Sequence, residues 1–183
     1  MKFNYYGFKA IYVHEMNRFL RTVGQSLLSP VISTSLYFVV FGSVIGGYIQ
    51  KIDGVSYGSY IVPGLLMLTL LTQSISNTSF GIFFPKFNGT INEILAAPIS
   101  TLETVLAFVG AGATKTLIVG AVIYFTATFF ADVTVKYPIL MIFLLVLVSF
   151  TFALFGFLIG LMSSNFEQMS IIPTLFITPM VFL

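Results

Sequence analysis

Long apolar runs, broken only by short polar clusters, set the architecture of this chain. No Asp, Glu, Lys or Arg occurs from Thr22 to Gln50, from Gly54 to Pro85 or from Tyr137 to Phe166. A helix needs roughly 20 apolar residues to cross a bilayer, and each run supplies them. A fourth run, Thr116 to Ala131, has 16 residues. It spans only if Gly110 to Lys115 joins the same helix, with Lys115 reaching back to the headgroups on its long stem. A fifth run begins near Ser170 and reaches Leu183 with no closing charge or turn, as though cut inside a helix. The expected spans are about 25–48, 58–84, 105–131, 138–162 and 170–183, the last incomplete. The runs do not alternate, which excludes a transmembrane β-barrel. The first begins too late and leads into further spans, so it is no cleaved signal peptide. The predicted fold class is an all-α, polytopic integral membrane helix bundle.

Composition sharpens this picture. Hydrophobic residues make up 57% and charged residues 8%, against about a quarter charged in soluble domains. Four such helices in series leave no polar shell to bury them, so a soluble globule is excluded. Basic residues in alternate flanks are unequal. Lys2, Lys9, Arg18, Arg21, Lys86 and Lys115 fall on one side, Lys51 and Lys136 on the other. By the positive-inside rule the N-terminus is expected in the cytoplasm. The outer loops, Gln50–Tyr57 and Asp132–Lys136, are too short to form a receptor or catalytic domain. With no cysteine and one histidine, thiolate chemistry and multi-histidine metal sites are ruled out. A net charge of +2 gives no indication of nucleic-acid binding.

The inner side is therefore where a soluble partner would dock. Over residues 1–23, Phe8, Ile11, Tyr12, Met16, Phe19, Leu20 and Val23 recur at helical spacing, with His14, Asn17, Arg18 and Arg21 opposite. This predicts an amphipathic surface helix turning at Gly24 into the first span. It is either a plain anchor or a lever on a cytoplasmic partner. Glu15 projects near the apolar side and needs a partner there. Between the second and third spans, Thr90 and Glu93 fit a capping box, and Pro98 must end the helix. The result is a helix of about two turns over 90–97, with Ile91, Ile94 and Leu95 on one face and Asn92 and Glu93 facing away. So short a helix is unstable alone, and packing must hold it. Two further capping boxes are predicted: Ser100–Glu103 opening the third span, and Ser164–Glu167 at a tight turn between the fourth and fifth.

Little else suggests chemistry. Gly110-Ala-Gly-Ala-Thr-Lys115-Thr116 lacks the glycines of a phosphate loop at Val109 and Thr114, so its glycines point to close helix packing. The six acidic residues show no i, i+3 or i+4 pairing, which argues against a two-carboxylate site. No span core holds an acid, which weakens an ion-coupled transporter. Gly42-x-x-x-Gly46 and Gly156-x-x-x-Gly160 suit close helix contacts, within or between subunits. Gln25, Ser26, Thr34, Gln73, Ser74, Ser76, Asn77 and Thr78 form polar stripes in the first two spans. They serve either helix–helix hydrogen bonds or the lining of a substrate path, for which Gln25, Thr34, Gln73 and Asn77 are the candidates.

Together, the N-terminal helix with His14-Glu-Met-Asn-Arg18-Phe-Leu-Arg21, Tyr60-Ile-Val-Pro63-Gly64 opening the second span, and Phe87-Asn-Gly-Thr-Ile-Asn-Glu93-Ile-Leu-Ala-Ala-Pro98-Ile-Ser on the inner loop resemble the permease subunit of type-2 ABC exporters. That family handles lipo-oligosaccharides, polysaccharides and drugs. The resemblance implies six spans, of which five are visible here. It also implies a dimer with itself or a homologous permease, surrounded by membrane lipids, in a bacterial inner membrane. Separate ATP-binding-cassette subunits would carry the ATP and Mg, leaving no cofactor and no catalytic residue on this chain. The inner-loop helix would be the coupling helix. Glu15, Arg18, Phe87, Thr90, Asn92, Glu93, Ser164 and Glu167 would contact the ATPase. An ATP-independent transporter or channel and a non-transporting membrane anchor are the alternatives.

Overall fold

The computed structural model describes residues 3–46, 51–52 and 54–182. It is a helix bundle, with one two-residue hairpin among the described residues. Helix α1 (Tyr5–Arg21) starts where the Asn4 side chain accepts the Gly7 N–H. It ends with Arg18 and Arg21 beside its free carbonyls, a favourable charge for that terminus. The turn into the next helix falls at Thr22 (φ −113°, ψ 18°) rather than at Gly24. Helix α2 (Val23–Tyr37) keeps Pro30 inside it and continues as a π-helical segment, Phe38–Ile45. The last two residues of the expected first span, 47 and 48, lie outside the described residues.

Strands β1 (Lys51–Ile52) and β2 (Val55–Ser56) pair antiparallel around Gly54, whose φ of 82° favours glycine. Helix α3 (Tyr57–Asn88) follows, capped by the Ser56 hydroxyl. At 32 residues it is about 48 Å long, well over the roughly 30 Å hydrocarbon core. Pro85 was expected to open the inner loop. Instead the helix runs through it to Gly89, whose left-handed conformation (φ 79°) supplies the stop. The short helix α4 (Ile91–Ala96) ends at Ala97, which is extended (φ −72°, ψ 150°) as a residue before proline must be.

Helix α5 (Thr101–Ala127) opens with the predicted Ser100–Glu103 capping box, both of its bonds present. Gly110 to Lys115 lies within it, which is the condition the 16-residue run needed to span. Helix α6 (Pro138–Met162) has proline at its first position, where the missing N–H costs nothing. Helix α7 (Phe166–Phe182) closes the described chain. Val23–Gly42, Tyr57–Asn88, Thr101–Ala127 and Pro138–Met162 are each long and apolar enough to cross a membrane. The protein is thus an all-α polytopic membrane protein.

Helix α5 is the axis. Ala107, Val109, Ala111, Val119 and Ile123 are all buried, and α1, α2, α3 and α6 pack around it. The outer helices keep apolar side chains such as Ile139, Phe143 and Leu147 exposed, as suits a lipid-facing rim. Gly156 and Gly160 lie against the backbone of α3 at Ile75 and Ser79. The motif they form therefore serves packing within the chain rather than between subunits. Gly112 instead faces the Thr78 side chain of α3.

Candidate functional site

One end of the bundle gathers α1, α4, the start of α5 and the α6–α7 turn into a single platform. Three polar ties fasten α1 to α5. The Asn4 backbone N–H donates to Glu103 Oε1 at 2.6 Å, and Asn4 Nδ2 donates to the Pro98 carbonyl at 3.0 Å. Glu103 Oε2 accepts the Ser100 N–H at 2.8 Å, so one carboxylate closes the capping box and holds the N-terminal helix. Two to three turns further on, the Tyr12 hydroxyl donates to Thr114 Oγ1 at 2.9 Å.

The third tie is ionic. Glu15 Oε2 accepts from Lys115 Nζ at 2.8 Å and from an Arg18 guanidinium nitrogen at 2.8 Å. Glu15 and Lys115 are buried, with 2% and 4% side-chain exposure, while Arg18 keeps 27%. Arg18 also sits over the Phe80 ring, 5.6 Å from its centroid, a favourable site for a cation. Glu15 is thereby given the partner its position on the apolar side demanded. That partner is Lys115, which turns inward instead of reaching for the headgroups. Lys115 consequently drops out of the flanking charges that orient the chain.

Apolar packing seats α4. Ile91 and Ile94 pack against the cluster of Ile11, Ile82, Ala107 and Phe108. Leu95, expected on the same face, is instead 74% exposed, because so short a helix buries only one narrow stripe. The predicted Thr90–Glu93 capping box does not form. Thr90 adopts helical angles, and its hydroxyl donates back to the Pro85 carbonyl at 3.4 Å. The Ser164–Glu167 box is also absent: the Ser164 N–H is taken by Gln168 Oε1 at 2.9 Å. Gln168 is one position later than the box requires, because α7 starts at Phe166.

The two loops at this end are joined. Lys86 Nζ donates to the Leu161 and Ser163 carbonyls at 2.7 and 2.8 Å, satisfying carbonyls at the end of α6 that have no helical partner. The Phe87 ring meets Phe166 edge-on at 4.9 Å, and Phe83 does the same at 4.9 Å. Lys86→Met removes that cap and should cost about 1 kcal/mol. Hydrogen exchange would read it as faster exchange over residues 163–168, with α3 unchanged. Unchanged exchange there would sink the assignment.

A chain of continuous apolar helices ending on this fixed platform has a match. The family model described as "ABC-2 type transporter" matches residues 6–183. The chain belongs to the ABC-2 type transporter family. Among relatives of this ABC-2 protein, "Inner membrane transport permease YadH" of Escherichia coli (strain K12) is 36% identical over 175 residues, covering 96% of this chain and 68% of that protein. The protein of the same name in Shigella flexneri gives the same figures. "Nodulation protein J" of Rhizobium meliloti (strain 1021) is 25% identical over 162 residues, 86% of this chain and 61% of its own length. No solved structure matches. Membership makes the chain a multi-pass transmembrane permease of an ABC transporter, a transport subunit rather than an enzyme.

Within this ABC-2 permease the eight candidate contact residues fall in one region but not on one surface. Phe87, Thr90, Asn92, Glu93, Ser164 and Glu167 are exposed, and Arg18 is partly so. Glu15 is corrected: it is shut inside the bundle and cannot touch a docked protein. The four path candidates separate. On α3, Asn77 Nδ2 donates to Gln73 Oε1 at 3.4 Å and both are half-buried. On α2, Thr34 is buried and Gln25 exposed. Sequence reasoning missed Asn4, Tyr12, Lys86 and Phe166. Asn4 was readable, since Asn ahead of a periodic run is a helix-start signal. The other three depend on contacts 75 or more residues apart.

Proposed function

We propose that this permease is the membrane half of an ABC exporter. In this reading it lies in a bacterial inner membrane with its N-terminus in the cytoplasm. It pairs with itself or a homologous permease, and it moves a lipid-, glycan- or drug-like amphiphile. A separate ATPase subunit, carrying ATP and Mg, docks under α4. Closure of two such subunits pushes α4, and the platform turns that push into movement of the spans. Gln73 and Asn77, with Thr34 and Gln25, are assigned to the substrate path.

The observation that supports this reading is the way α4 is held. Its inner stripe is fixed on the bundle through Ile91 and Ile94. Its outer side presents Leu95, Asn92 and Glu93, with Phe87 alongside at 61% exposure. Exposed Leu and Phe side chains together with a carboxylate, on a rigid base, have the make-up of a protein-docking patch. The contact set is accordingly Phe87, Asn92, Glu93 and Leu95, with Arg18, Thr90, Ser164 and Glu167 at the edge. Glu15 is left out.

Co-purification with the ATPase subunit tests this. Phe87→Ala combined with Glu93→Lys should weaken the pair at least about tenfold, or ~1.4 kcal/mol. Phe129→Ala, at the other end of the bundle, should leave it unchanged. Full recovery of the complex from the double variant would refute the docking site. Flux that persists without any ATPase would favour an ion-coupled carrier or channel.

A further inference from the structure

The end of the bundle opposite α1 and α4 holds a cleft that plays no part in the docking described above. Its volume is about 410 Å³, within the roughly 300–1,000 Å³ of small-molecule sites. Two helical stripes line it: Ser59, Val62 and Leu66 on α3, and Met141, Leu144 and Leu145 on α6, with Tyr137 just ahead of that helix. Spacings of three and four put each set on one helix face. From Ser59 to Leu66 is seven helical steps, or roughly 10 Å at 1.5 Å per residue. One leaflet contributes about 15 Å of a ~30 Å hydrocarbon core. The cleft is therefore an apolar slot reaching well into one leaflet.

Its mouth is polar and fixed. Ser59 Oγ donates to the Asp132 carbonyl at 2.9 Å. Phe130 stacks on Phe38 at 5.7 Å, and Val133 packs on the cluster of Phe38, Val62 and Ala127. These contacts hold the α5–α6 loop in place without a ligand. Asp132 and Lys136 both line the mouth, yet among the described residues neither forms an ion pair. Lys136 Nζ instead lies 5.9 Å from the centroid of the Tyr137 ring. Tyr124 of α5 also lines the cleft, and its hydroxyl has no protein hydrogen-bond partner among the described residues.

An apolar slot lined by a tyrosine hydroxyl, with a cation and an anion outside any ion pair among the described residues at its mouth, complements one class of membrane molecule. We infer that this cleft holds a phospholipid with a zwitterionic, amine-bearing headgroup. One acyl chain fills the slot. The phosphate sits on Lys136 and Tyr124, and the ammonium sits on Asp132. An anionic headgroup would leave Asp132 facing like charge. The inference requires only that the bundle lies in a membrane, not that an ATPase drives it.

Native mass spectrometry of the purified full chain, exchanged into detergent with equal phosphatidylethanolamine and phosphatidylglycerol, tests this. One phosphatidylethanolamine should stay bound, favoured about tenfold over phosphatidylglycerol. Asp132→Asn with Lys136→Gln, both at exposed positions, should abolish that preference without disturbing the fold. Met141→Trp should fill the slot and remove the retained lipid. Equal retention of the two lipids by the unaltered chain would overturn the inference. So would a preference for phosphatidylglycerol, which would mean that Lys136 acts alone, or a preference that survives the charge changes. Should Met141→Trp fail to fold, the charge variant decides alone.

Discussion

Replacing Glu15 by Ala is expected to lower the unfolding free energy of the bundle by about 3–5 kcal/mol, the cost of stranding one partner of a buried ion pair. The Lys115 ammonium sits 2.8 Å from Glu15 and is 4% exposed, on the helix that forms the axis of the fold. Without the carboxylate it faces Arg18 and an apolar wall. Lys115→Met should cost less, because Glu15 retains Arg18 at 2.8 Å. The double change Glu15→Leu with Lys115→Met should recover most of the loss, since a well-packed apolar pair often matches or exceeds a buried ionic one. The pair is also imperfect: Glu15 Oε1 has no partner among the described residues. Denaturant titration of the purified protein in mixed micelles would measure all three. A Glu15→Ala cost under about 1 kcal/mol, or a double variant no better than the single, would remove the pair from its structural role. Loss of stability should come with loosening of α1, because Tyr12–Thr114 and the Asn4 bonds are then its remaining polar ties to the bundle.

How much of this was visible beforehand depends on the range of the interaction. The spans were readable because charge cannot be hidden in hydrocarbon, so the gaps between charges mark the helices. The Ser100–Glu103 box and the stop at Ala97 were readable because both are fixed within four residues. The Thr90–Glu93 box has the same spelling and fails. Gly89 has already turned the chain, leaving Thr90 in helical angles from which its hydroxyl reaches back to Pro85. The box at Ser164 fails because Gln168 offers a competing acceptor one residue on. That Glu15 needed a partner was evident from its place on the apolar face. Which partner was not, because Lys115 lies 100 positions away and its own run allowed a reach to the headgroups. The docking residues divide on the same principle: exposure of Asn92 and Glu93 follows from local helical phase, but exposure of Leu95 and burial of Glu15 follow from packing against the rest of the bundle that no local pattern encodes.

Gly156→Ala should be the most damaging single methyl addition in the bundle. A Cβ there would lie 2.5 Å from the Ile75 carbonyl oxygen and 2.8 Å from its Cα, and backbone in the middle of α3 cannot step aside. At Gly160, one turn on, the added atom would meet Ile82 and would lie 2.5 Å from the Ser79 carbonyl oxygen. Overpacking typically costs about 1–3 kcal/mol per site, and backbone contacts put both positions at the upper end. The two changes share one interface, so the pair should cost less than their sum once the helices have moved apart. The effect is large because helices in lipid gain little from hydrophobic burial and associate through close contact of small residues. Gly64→Ala is the matching control: its added Cβ meets nothing within 4 Å among the described residues. Removing a helical glycine there should raise stability by about 0.5–1 kcal/mol. Thermal unfolding of the three variants in one detergent would order them as Gly64→Ala above the unaltered protein and Gly156→Ala well below it. If Gly156→Ala unfolds no earlier than Gly64→Ala, then α6 does not lie on α3 in this register, and Lys86 loses the carbonyls it is placed to cap.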